Sequence, residues 1–248
     1  MKIRINFTAK DKQFPLSYRM IVTSFIKKAL EESNEKYFKD IYYYEEKKNK
    51  RIKPFTFSVF FKNYTIEKDI VFINESGSIL ISTCDYNFGI NLYNGLLKLK
   101  SYTYKKDEEG FEILITKIIL ENEKEINESR IFCKTLSPIH VRARNNKPVN
   151  LMDENFNKEL NYICNLSLTT FRGEGLKEEI YFTPVKMKKV IAKEKISDFM
   201  KINENTNIYI QGYSGTFYLE GNIQDLKMLM QIGLGFRRSE GFGMIDLV

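Results

Sequence analysis

The order in which two hydrophobic periods alternate along this chain constrains its fold most. Residues 2–8 set Ile3, Ile5 and Phe7 between Lys2, Arg4 and Asn6, the period of two that gives a strand one buried face. Residues 17–32 switch to helical spacing, with Ile21, Phe25 and Ala29 beside Val22, Ile26 and Leu30, and with Ser17 as the expected N-cap. Lys27 and Lys28 fall on the flank away from that apolar stripe. A short helix is predicted over 35–44, then the charged stretch 45–53, and Pro54 opens a strand over 55–61. Strands over 69–74 and 78–84, turning at Ser76–Gly77, lead to a helix over 86–99 and an apolar strand over 111–120. The order is β-α-β-β-α-β, the ferredoxin-like arrangement.

The polar run ENEKEINES (121–129) is the natural boundary, and beyond it the order starts again. Strand pattern over 130–143 is followed by a helix over 154–171, with Phe156, Leu160, Ile163, Cys164 and Leu168 on one side. Strands over 178–192 and 208–221, a helix over 223–233 and a last strand over 242–248 complete the set. The sequence therefore predicts an α+β chain of two tandem ferredoxin-like domains, 1–124 and 125–248.

Composition removes several classes. The 248 residues include one histidine, His140, which excludes two-histidine mechanisms and multi-histidine metal sites. Three dispersed cysteines, Cys84, Cys133 and Cys164, exclude a disulfide scaffold and suit a reducing, cytoplasmic setting. The charged start lacks an apolar h-region and no long apolar run follows, so neither a signal peptide nor a membrane partner is expected. A net charge of +7 is compatible with a nucleic-acid partner. Carboxylate pairs such as Glu45–Glu46 and Glu108–Glu109 sit in charged loops and read as solvated.

The most informative motif is GLGFRRSEGFG (233–243). Two Gly-apolar-Gly units, Gly233/Gly235 and Gly241/Gly243, flank Arg237 and Arg238 between a helix and a strand. Leu234 and Phe242 could anchor such a loop while the arginines project to meet phosphate; the bland alternative is a turn with solvated arginines. A dinucleotide fingerprint would need glycine where Arg238 stands, and no P-loop is present.

At this motif the chain resembles the CRISPR repeat-RNA processing endoribonucleases of the RAMP superfamily. FPLSYR (14–19), KPFTFS (53–58) and TLSPI (135–139) match family features in the same order. The resemblance implies two ferredoxin-like domains, a cleft for repeat RNA and metal-free, cofactor-free cleavage within each repeat. Attack by a ribose 2′-OH would leave a 2′,3′-cyclic phosphate and a 5′-OH. Precursor and mature CRISPR RNA are the implied partners of a monomer or homodimer, with effector-complex subunits as further candidates. The family's usual histidine aligns with Tyr42, or with Tyr43 or Tyr44 after a slip of the alignment, its lysine with Lys53, and a polar helix residue with Lys27, next to Lys28. The resemblance therefore gives Lys53 charge stabilisation, Lys27 phosphate positioning or leaving-group protonation, and Tyr42 orientation or weak activation of the 2′-OH. The missing histidine predicts a slow enzyme or a non-cleaving repeat-RNA binder.

Other basic groups are candidate RNA contacts. His140 shares a strand face with Arg142 and Arg144, opposite Ile139, Val141 and Ala143; the plain reading is a strand-face histidine. The run 47–53 is a solvated loop or an RNA contact. Lys186 and Lys188 either meet RNA backbone or keep an edge strand soluble.

Overall fold

The computed structural model describes all residues except 46, 50, 105–110 and 196–206, so Glu46, Glu108 and Glu109 lie outside the described residues. The first half holds β1 (Lys2–Ala9), β2 (Gln13–Pro15), α1 (Arg19–Ser33), α2 (Glu35–Tyr42), β3 (Tyr43–Tyr44), β4 (Lys47–Lys48), β5 (Phe55–Glu67), β6 (Ile70–Thr83), α3 (Tyr86–Lys98), β7 (Ser101–Tyr104) and β8 (Phe111–Glu121). The second holds β9 (Arg130–Thr135), α4 (Asn155–Arg172), β10 (Tyr181–Lys195), β11 (Asn207–Glu220), α5 (Ile223–Ile232) and β12 (Ile245–Leu247).

Both halves build the same antiparallel sheet. The first runs β5-β6-β1-β8, with β2 and β7 as additions, and the second runs β10-β11-β9-β12. Numbered within each half, both orders are 2-3-1-4, the ferredoxin-like order that the two βαβ crossovers require. Helices cover one face of each sheet. Ile3, Ile5 and Phe7 of β1 meet Phe25, Ile26 and Leu30 of α1 in one core. Cys133 of β9, Leu160 and Leu168 of α4, and Leu226 and Leu229 of α5 share the other.

Two local expectations are corrected. Residues 69–74 and 78–84 belong to one continuous strand, β6, whose hairpin with β5 turns at Lys68, where φ is 55°. Gly77 is not a turn residue: a Cβ there would lie 2.3 Å from the Phe7 ring, so the glycine makes room for a core aromatic. Ser17 does not cap α1, whose first flanking residue is Tyr18, without a side-chain cap. No described helix is long and apolar enough to cross a membrane.

Candidate functional site

The loop 233–243 is tied to both halves of the chain. Leu234 N–H donates to Gly243 O (2.8 Å), which closes the loop on itself. Phe236 N–H donates to His140 O and Gly243 N–H to Pro138 O, both at 2.8 Å, within the second half. From the first half, Thr56 Oγ1 donates to Phe242 O (3.0 Å) and Arg19 Nε to Gly241 O (3.2 Å). The glycines are needed for this closure. At Gly243, with φ of 72°, a Cβ would stand 1.9 Å from Leu234 O; at Gly235, with φ of 78°, it would stand 2.5 Å from His140 O.

The two arginines diverge. Arg237 takes a left-handed backbone (φ 58°), lines the cleft beside the loop and pairs with Glu240 at 2.5 Å. Arg238, expected to project, is instead 5% exposed, with Nη2 donating to Ser167 Oγ at 2.8 Å and Nη1 directed to Gly233 O at 3.4 Å. Burial lowers its pKa to about 10, and no carboxylate pairs with it among the described residues. It braces the loop against α4.

The cleft has a volume of about 390 Å³ and draws its walls from both halves. Arg51 and Lys53 come from the segment before β5; Arg142 and Arg237 face them from the second half. Glu240 is the one acidic residue among the described lining. A cavity walled by so many cations favours an anion.

Lys53 is held by its surroundings. Its Nζ donates to Ile41 O at 2.7 Å and to Asn49 O at 3.0 Å. Burial lowers its pKa to about 8, helped by the charges of Lys27 and Arg51. The Tyr42 ring centroid lies 5.3 Å from Lys53 Nζ and 4.9 Å from Lys27 Nζ. The Tyr42 hydroxyl is buried without a hydrogen-bond partner among the described residues, and burial raises its pKa above the usual phenol range. What Tyr42 offers the two ammonium groups is its π face, not its oxygen.

The other predicted residues are dispersed. His140 is 7% exposed; its Nδ1 lies 2.7 Å from Gln211 O, so the proton sits on Nδ1. Burial holds its pKa below the usual value, with Arg237 and Arg142 acting the same way against the Gln211 bond, so the ring is neutral at pH 7. Arg142 stacks on Phe236 (4.7 Å) and Arg144 on Tyr162 (5.4 Å). Lys28 pairs with Glu31 and Glu32 on the exposed flank of α1. Lys186 and Lys188 are exposed on β10, an edge strand. Arg19, the last residue of FPLSYR but not among the predicted site residues, joins the halves: it pairs with Glu194 of β10 at 2.7 Å and lies 4.7 Å from the Phe242 ring. Its place in FPLSYR, at the opening of an apolar helix, was the available signal.

Fold and site together define a tandem ferredoxin-like protein with a basic cleft between its lobes, closed by a glycine-rich C-terminal loop. Residues 121–247 match the family described as CRISPR associated protein Cas6, C-terminal, and the chain belongs to that family. Among solved structures, an RAMP protein described as binding different RNA substrates superposes with a TM-score of 0.79 at 22% identity, covering 100% of this chain and 99% of its own. A Cas6-related protein from Pyrococcus furiosus gives 0.76 at 22%, with the same coverage. A CRISPR associated protein Cas6 gives 0.74 at 20%, again covering 100% and 99%. A comparison with curated proteins finds no match.

Proposed function

We propose that this chain binds CRISPR repeat RNA across two lobes, 1–124 and 125–248, and cleaves it within the repeat without a metal. The observation that carries the reading is the cleft in which Lys53 and Arg51 of one lobe face Arg142 and Arg237 of the other. Family membership supplies the RNA class.

Lys53 is the centre of the proposed chemistry. A neutral amine has two N–H groups and one lone pair. Ile41 O and Asn49 O can accept both N–H groups, which leaves the lone pair available. With a pKa of about 8, a useful fraction of Lys53 is neutral near pH 8, so this side chain can take the 2′-OH proton. That extends the charge-stabilising role implied by the resemblance. Lys27, across the Tyr42 ring, serves as the cation that steadies phosphate or protonates the departing 5′-oxygen. Arg51, Arg142 and Arg237 hold the non-bridging oxygens. Each is a fixed charge, and cations of this kind disfavour a divalent ion in the same space. Tyr42 positions the lysines and takes no proton.

Repeat RNA incubated with the protein in EDTA should yield 2′,3′-cyclic phosphate and 5′-OH ends. RNA with a 2′-deoxy scissile nucleotide should bind and stay intact. A shifted gel band with uncut RNA would favour the binding-module reading, for which the absent imidazole and the buried Tyr42 hydroxyl speak.

A further inference from the structure

Beside the cleft lies a second recess of about 410 Å³, lined by Ala143, Arg144, Asn145, Lys158, Glu159 and Tyr162. We propose that it is a stacking subsite for one unpaired RNA base next to the nucleotide held in the cleft, with Tyr162 as the platform. The proposal rests on the repeat-RNA reading above and adds a site to it.

Continuity comes first. The recess and the cleft are lined by chain neighbours at two points, Ile163 with Tyr162 on α4, and Arg142 with Ala143 and Arg144. The two spaces are therefore near neighbours on the second half. A short hairpin aligns the arginines: Val149 N–H donates to Val141 O (3.0 Å), Ala143 N–H to Lys147 O (2.9 Å), and Asn146 closes the turn with φ of 66°. Ile139 and Val141 are buried beneath it, so Arg142 and Arg144 are held toward the cleft and the recess.

The chemistry of the two spaces differs. The cleft gathers cations, as a phosphate requires. The recess sets Lys158 beside Glu159, which weakens its pull on an anion, and offers an aromatic face and the Asn145 amide. Those groups suit a base: a flat π surface to stack on and, at its edge, the Asn145 amide, whose Oδ1 is held by Lys147 N–H at 3.0 Å and whose NH2 can donate. Tyr162 is 45% exposed although it is aromatic, and Arg144 lies over its ring at 5.4 Å. An exposed Arg–aromatic pair is a ready site for an incoming base, with the guanidinium free to turn to the adjacent phosphate.

The test uses a repeat hairpin RNA with single-stranded flanks, a blunt-ended version of the same hairpin, and flanked RNAs carrying single 2-aminopurine substitutions. Binding is measured to the parent, Tyr162→Ala and Tyr162→Phe. For Tyr162→Ala, affinity for the flanked RNA falls about tenfold or more, the range for removing one base–aromatic stack, while blunt RNA binds as before. Fluorescence is quenched at one flank position in the parent and in Tyr162→Phe, and released in Tyr162→Ala. Equal affinity of Tyr162→Ala and parent for flanked RNA, or an equal loss on both RNAs, overturns the subsite alone. A parent that binds neither RNA overturns the repeat-RNA reading and the subsite with it.

Discussion

In the proposed chemistry Lys53 takes the part of a base in a cleft whose described lining holds no histidine. Burial and the Lys27 and Arg51 charges act together to favour the neutral amine, and two carbonyls accept its protons. Lys53→Ala should lower single-turnover cleavage by about 10²–10⁴-fold, the usual cost of losing a general base, with RNA binding largely retained. The adjacent tyrosine acts through its ring. Tyr42→Phe should cleave at the parental rate and gain about 1 kcal/mol in a urea melt, because it removes a buried hydroxyl that lacks a partner. Tyr42→Leu should move the Lys53 pKa further down, since the π face that attenuates Lys27–Lys53 repulsion is lost; NMR of the labelled lysine amine reads that shift without RNA. No sequence signal told Arg237 from Arg238. Which of two adjacent arginines turns inward is set by the left-handed backbone at Arg237 and by Ser167 on a distant helix.

Among elements, the glycine-rich loop is a clasp before it is a contact surface. Gly243→Ala would force a side chain to within 1.9 Å of Leu234 O at a left-handed backbone position. The backbone preference alone costs about 1–2 kcal/mol, and the clash adds to it. A lower Tm together with weaker RNA binding is the expected result, by calorimetry and gel shift. The helices and most strands were legible from periodicity because each lays one apolar face on its own core, as α1 does with Phe25 and Leu30. The single strand β6 reads as two, broken at Ser76–Gly77, because glycine as a turn former and glycine as space for Phe7 look alike in one dimension. The spacing of the loop glycines was legible; their partners, Thr56, Arg19 and His140, come from distant segments and were not.

At the scale of the whole molecule, the lobes are joined by charge as well as by packing. Arg19 and Glu194 form a buried pair, 8% and 2% exposed, across the junction. Glu194→Ala strands a buried guanidinium and should destabilise the chain by about 3–5 kcal/mol; Arg19→Met with Glu194→Leu should recover most of that in the same denaturation measurement. The cleft between the lobes is where the proposed chemistry converges, and its pH dependence has a definite sign. In the proposed reaction the active form of Lys53 is the neutral one, so the rate should follow its deprotonation. The decisive measurement is the single-turnover rate of repeat-RNA cleavage in EDTA as a function of pH. The rate should rise about tenfold per unit below pH 8 and level off above it, with a break near the Lys53 pKa of about 8 that vanishes in Lys53→Ala. A profile unchanged by Lys53→Ala, or RNA that stays bound and whole at every pH, would contradict the account.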